Sequence, residues 1–232
     1  MSETITINQR FNGSPTAGND GYSCGLLAAR LTGPAKVRLY APAPLNKPLA
    51  LTVADSLVQM HDGDTLIGQA EAFEFELNLP MTPTLACARD ASARYPCKDK
   101  HIYQTCFVCG THRYEDDALC LYPGPVTDWS LLACVWQPNA SLLNSSGDIC
   151  AEYIWAALDC PGYFAAVGEN LRIALLGELN GKILASISGD QELVVFSWPL
   201  GRDGRSLYSG VAIANAQGEV LAYSHTTWIK RR

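Results

Sequence analysis

The sequence predicts an α+β fold: two antiparallel sheets, each wrapping one long central helix. Three observations carry this. Two long apolar helical stretches each follow a loop of turn residues; each is followed by strand-length runs joined by turn chemistry; and an irregular, proline-containing stretch separates the two sets. A single helix per half can bury itself only if the sheet curls around it. With 232 residues, 48% hydrophobic and 17% charged, the chain is long enough for one large domain or two small ones with a sizeable core.

In the first half, residues 12–21 are rich in Gly, Asn, Ser and Pro and lead into an apolar helical stretch over 22–31, which Gly33-Pro34 stops. Strand-like runs follow at 36–40, 49–59 and 65–77, with a hairpin turn at His61-Asp62-Gly63-Asp64. Residues 70–77 alternate apolar and polar, as a strand with one wet face does. Regularity is lost from about 79 to 104, where Pro80, Pro83 and Pro96 fall, apart from one short helix over 85–94. The second half opens with strands at 118–122 and 130–136 and a polar loop at 139–148. A helix over 149–159 and strands at 171–179, 183–188, 193–198, 207–215 and 220–229 complete it. Asn180-Gly181, residues 201–204 and residues 216–218 are the expected turns between these strands. The division is thus 1–80, a linker 81–104, and 105–232.

A net charge of −6 leaves no basic footprint for nucleic acid. Anionic ligands would need local clusters such as Arg202 with Arg205, or Lys36 with Arg38. No run of about 18 apolar residues is present, so membrane insertion is not expected. The first residues lack a basic-then-apolar signal pattern, and a cytoplasmic location is the expectation. The nine cysteines accordingly read as reduced thiols, most of them small hydrophobes in apolar stretches. Cys106-x-x-Cys109, with Cys97, His101 and His112 nearby, has ligand types suited to zinc. No second Cys-x-x-Cys accompanies it, and the expectation is no metal and no organic cofactor.

The residue that stands out is Asp159, a lone carboxylate at the end of the apolar stretch 149–159. Burying it is costly unless it is paired, hydrogen-bonded or used. Glu152 lies seven residues earlier, about 10 Å along a helix, too far to share a proton. Pro161 cannot donate to the Ala157 carbonyl, so the helix kinks or ends near Cys160. Asn19 reads either as a helix N-cap or as a group orienting water or substrate, and Asp20 as an N-cap. Trp155 reads as core or pocket wall, and His225 as structural.

Several of these stretches look like acyl-CoA thioesterases of the hotdog superfamily. Cys106-Phe107-Val108-Cys109-Gly110, followed by Leu119-Cys120-Leu121-Tyr122, resembles the start of many single-domain members. Residues 147–162 are similar to their helix motif, where a His-Gly-Gly turn opens the helix and a Leu-Asp pair closes its second turn. Leu158-Asp159 matches the pair; Cys150-Ala151-Glu152 stands at the turn. Asn19-Asp20-Gly21-Tyr22 stands where the turn would be in the first half. The resemblance implies a double hotdog, the covalent form of a hotdog dimer. It also implies that the helix start of one half faces the acidic residue of the other.

If residues 19–21 correspond to 150–152, Asp159 corresponds to Ala28, so one complete site per chain is expected. In it, backbone N–H groups at Gly21 and Tyr22 would hold a thioester carbonyl, and Asp159 would act as base on water or as nucleophile. The family's threonine and glutamine partners align near Gly201 and Thr227 and are not matched. Trp155, Arg202, Arg205 and Thr227 are the substrate-binding candidates. The implied partner is an acyl-CoA or acyl-carrier thioester, for a monomer or homo-oligomer. The alternative is a non-catalytic protein that binds an acyl thioester or another hydrophobic ligand.

Overall fold

The computed structural model describes residues 2–99, 101–171 and 173–231. The first half contains β1 (Ser2–Thr6), the short pair β2 (Asn12–Ser14) and β3 (Ala17–Gly18), helix α1 (Asp20–Ala28), and strands β4 (Ala35–Leu39), β5 (Pro48–Ala54), β6 (Leu57–Asp62) and β7 (Thr65–Ala72). Helix α2 (Leu85–Ser92) lies within the stretch expected to be a linker. The second half contains β8 (Gly124–Pro125), β9 (Leu132–Trp136), helices α3 (Ala151–Ala157) and α4 (Cys160–Val167), and strands β10 (Ala174–Ile183), β11 (Leu193–Asp203), β12 (Ser206–Ala214) and β13 (Val220–Lys230).

The expectation of two sheets is corrected: eleven strands form one antiparallel sheet, in the order β1-β5-β6-β7-β4-β10-β13-β12-β11-β9-β8. The join is β4 on β10, with Val37 opposite Leu179 and Arg38 opposite Glu178. Each of these strands would otherwise be an open edge with unpaired N–H and C=O groups, and pairing them removes both edges. An ion pair between Arg38 and Glu178 (2.6 Å) fastens the join.

Several strand boundaries shift for identifiable reasons. The run 49–59 is a hairpin, broken at Asp55 and Ser56, whose φ angles of 48° and 68° make a two-residue turn. Asn180-Gly181 is not a turn but lies inside β10, which ends at Ile183; of the run expected at 183–188, the rest forms no strand beyond an isolated bridge of Ser188 to Asp148. Glycine is needed at 181 because a Cβ at Gly181 would fall 2.7 Å from the Trp155 ring. The β11–β12 turn is confined to Gly204-Arg205. Residues 118–122 form no strand; Leu119 and Leu121 instead donate to the carbonyls of Phe107 and Val108.

Strand β7 stops at Ala72, yet the alternation continues beyond it. Phe73, Phe75 and Leu77 are partly buried while Glu74 and Glu76 are exposed. This segment crosses the outer face of the second half's strands, where Phe75 packs edge-on against Tyr223. Together with α2, it covers Val194, Phe196, Trp198 and Ala212 in a second apolar cluster. The alternation thus reports a half-buried strap rather than a ladder strand. No helix of the described residues is long and apolar enough to cross a membrane.

The main core lies on the other face, around α1 and α3. Gly21 and Gly25, one turn apart on α1, let the two helices touch backbone to backbone. A Cβ at Gly25 would fall 2.6 Å from Glu152 Cα. Beside this crossing, Phe11, Tyr22, Phe107 and Tyr153 pack ring against ring, with Phe11 and Tyr22 stacked at 4.3 Å. Large rings of this kind bury more apolar area than any other side chains and tie the first half to residues 107 and 153.

Candidate active site

Leu158 (N–H to Ile154 O, 3.0 Å) closes α3, and Pro161, in the first turn of α4, suits a helix start because it has no N–H to leave unpaired. Asp159 sits in the break between them. The expected kink or end near Cys160 is found, and only the helix end is earlier than 159: the chain turns at Leu158-Asp159, and Asp159 holds the N-cap position of α4 without capping it. Its side chain turns instead to the start of α1. Oδ2 accepts from the Gly21 N–H at 3.0 Å and from Asn19 Nδ2 at 3.1 Å. Oδ1 is buried and has no hydrogen-bond partner among the described residues.

Asn19 is the N-cap of α1, its Oδ1 accepting from the Tyr22 N–H at 2.8 Å, and its amide reaches Asp159 as well. The N-cap reading of Asn19 holds, and its amide is engaged by Asp159. Gly21 and Tyr22 N–H groups are thus already engaged, one by Asp159 and one by Asn19, so neither is free to hold a carbonyl oxygen. The Tyr22 ring belongs to the aromatic cluster. Asp20 is the first residue of α1 rather than its cap, and half-buried. It supplies the second carboxylate that Glu152 was too distant to provide.

Burial, then the nearby Asp20 charge, drives the Asp159 carboxyl well above the usual range; Gly21 and Asn19 pull it partly back. Burial, reinforced by Cys106, pushes Asp20 from 3.8 up to about 7. The folded state therefore holds a proton on Asp20 between pH 4 and 7 that the unfolded state has released. This contribution to stability falls as pH rises through that window. Asp20→Asn is expected to stabilise the protein more at pH 8 than at pH 5, by upwards of about 1 kcal/mol, since one pKa unit is worth about 1.4 kcal/mol. Urea melts in the presence of a chelator measure this; an equal effect at both pH values would contradict it.

The break carrying Asp159 is held from below by hydroxyls on three strands. Ser224 Oγ donates to the Leu158 carbonyl (2.9 Å), Ser197 Oγ to Pro161 (2.8 Å) and Ser209 Oγ to Gly162 (2.7 Å). Thr226 Oγ1 lies 2.6 Å from Ser209 Oγ. These are the site residues that the sequence reading missed. Their signal is a serine or threonine at an inward-facing position of an otherwise apolar strand. Ser209→Ala removes the strand's donor to the Gly162 carbonyl, at an expected cost of about 0.5–1.5 kcal/mol in a urea melt. A cost below about 0.5 kcal/mol would show that the strand hydroxyl does not support the break.

The remaining candidates do not converge on Asp159. Thr227 faces outward with His225, and the inward threonine is Thr226. Arg202 and Arg205 are exposed at the end of the β11–β12 hairpin, where Arg205 donates to the Lys230 carbonyl. Trp155 is buried against Gly181, and its carbonyl backs onto Gly21. Two surface clefts, lined by Arg10, Arg113 and Asp117 among others, do not include Asp159.

No protein-family model matches the sequence, and no curated protein matches it. Solved structures do match over its full length. The tesB protein of Mycobacterium avium subsp. paratuberculosis superposes with a TM-score of 0.65 at 11% identity, covering 100% of this chain and 93% of that one. The acyl-CoA thioesterase II TesB2 of Mycobacterium marinum superposes with a TM-score of 0.60 at 11% identity, covering 93% and 90%. The fold is therefore that of the TesB-type acyl-CoA thioesterases, the double hotdog. At this identity the likeness is one of fold.

Proposed function

We propose that the chain is an acyl-thioester hydrolase of the acyl-CoA thioesterase type, with one site where the half 1–80 meets the half 105–232. The observation that carries this is the Asp159 carboxylate, oriented through Oδ2 by Asn19 and Gly21 of the opposite half while Oδ1 is left unpartnered. A buried carboxylate with one free oxygen and a fixed orientation is suited to general-base work. In that role Oδ1 takes a proton from water, the water oxygen bonds to the acyl carbon, and the carbon–sulfur bond breaks, the leaving sulfur taking up the proton that Asp159 holds so that the thiol departs and the carboxylate is restored. Asn19 and Gly21 are positioning groups for the base. The fold of acyl-CoA thioesterase II proteins supports the substrate class.

One observation favours the alternative, a non-catalytic binder of acyl thioesters. Asp159 is 2% exposed, and aromatic rings pack beside the α1–α3 crossing where an acyl chain would lie. A panel of acyl-CoA esters of increasing chain length, assayed for free CoA thiol and in parallel for binding, separates the two. Saturable release supports hydrolysis. Binding without release supports the alternative.

A further inference from the structure

Nine cysteines are spread along the chain, and three of them converge from two distant segments. Cys106 and Cys109 lie in the loop 106–110, and Cys160 is the first residue of α4. Their sulfurs all lie within 4.8 Å of one another, Cys106 to Cys109 at 3.6 Å and Cys106 to Cys160 at 3.9 Å. A tetrahedral zinc ion with Zn–S bonds of about 2.3 Å sets its sulfurs about 3.8 Å apart. A disulfide would require about 2.05 Å. The observed spacing fits sulfurs that share one tetrahedral cation and not a disulfide.

The loop is shaped for thiolates. The Gly110 N–H closes the turn on the Cys106 carbonyl at 3.0 Å, which sets the Cys106 and Cys109 sulfurs side by side. Only glycine fits at 110, since a Cβ there would fall 2.5 Å from the Cys106 nitrogen and the Gln104 carbonyl. His101 Nδ1 accepts from the Tyr103 N–H at 2.9 Å, so Nε2 carries the proton and donates to the Cys109 sulfur at 3.2 Å. Asn19 Nδ2 lies 3.6 Å from the Cys160 sulfur. Two side-chain N–H groups, from His101 and Asn19, are thus directed at two of the three buried sulfurs, the outer donors that thiolate ligands of a cation use.

We propose that Cys106, Cys109 and Cys160 bind one thiophilic divalent cation of the zinc type, with His101 donating to a ligand sulfur rather than ligating. Three protein ligands leave a fourth position for water or an added ligand. Binding releases the thiol protons to solvent. The ion would clamp the loop 106–110 to the start of α4, beside Asp159, so it is a structural clamp whose existence does not depend on the hydrolase reading.

The test uses the full chain, reduced and freed of metal by chelation, then titrated with zinc alone. One zinc per chain is expected after dialysis, and three of the nine thiols should become protected from a thiol reagent. Cobalt(II) in its place should give a thiolate charge-transfer band that saturates at one equivalent. Cys160→Ser should weaken zinc binding at least tenfold and reduce the cobalt band, whereas Cys87→Ser, at an exposed thiol, should change neither. Should Cys160→Ser fail to fold, thiol protection in the wild type decides the question. Well under one zinc per chain, unprotected thiols, or unchanged binding in a folded Cys160→Ser would overturn the proposal.

Discussion

Asp159→Asn is expected to lower acyl-CoA hydrolysis at least about 100-fold while leaving the fold intact, the range that a positioned general base contributes being about 10²–10⁴. The substitution is nearly isosteric. An amide oxygen in the place of Oδ2 still accepts from Gly21 and Asn19, so the geometry at the α3–α4 break survives. What is lost is the proton acceptor at Oδ1. Removing a buried ionisable carboxyl beside Asp20 also relieves a desolvation cost, so thermal stability should hold or rise. The readout is free CoA thiol from the best ester of the panel, with a thermal melt of the same sample. A variant that keeps more than a tenth of wild-type turnover would remove Asp159 from the chemistry.

Gly21→Ala is expected to destabilise the protein by about 3 kcal/mol, against the direction that helix propensity alone predicts. In an exposed helix interior, alanine is favoured over glycine by about 1 kcal/mol. Here the added methyl group would meet Asp159 Cβ, would fall 2.7 Å from the Trp155 carbonyl oxygen and 3.0 Å from Ala156 Cα. These are backbone atoms and a short side chain, with no flexible end to move aside, so α1 must lift off α3. Overpacking of this kind costs about 1–3 kcal/mol, and the Gly21–Asp159 hydrogen bond is strained with it. Urea denaturation gives the number, and a gain in stability would show that the two helices are not in contact at this point.

What the sequence made legible was the local pattern and the pairing that the hotdog resemblance implied. Both helical stretches formed, the second broken after Ala157, and the resemblance set Asp159 against the Gly21-Tyr22 helix start, where a hydrogen bond to Gly21 is found. Features set by distant partners stayed hidden. Asn180-Gly181 has turn composition, and only the Trp155 ring behind it explains a glycine in mid-strand. The alternation at 73–77 is that of a half-buried strand, and nothing local says that the buried side rests on the outer face of another half. Serine in a strand reads as a solvated face, so the hydroxyls of 197, 209 and 224 could not be read as donors to the carbonyls around Asp159. Cys160, 54 residues from Cys106, looked like one more small apolar side chain.

The β4–β10 join also bears on how the chain is made. Arg38 and its partner Glu178 are 140 residues apart, so during synthesis β4 emerges long before the strand that will pair with it. At about 5–20 residues per second, that delay is roughly seven to thirty seconds. Through that interval the nascent first half carries an open hydrogen-bonding edge, the kind of surface on which a second chain can add. Lys36 and Arg38 are two of the five residues of β4, and like charges on neighbouring nascent chains repel. In the finished protein Lys36 is bound within the first half by Glu71, and Arg38 across the join by Glu178. The arginine that fastens the halves together is thus also one of the charges that keep separate chains apart before the join is made.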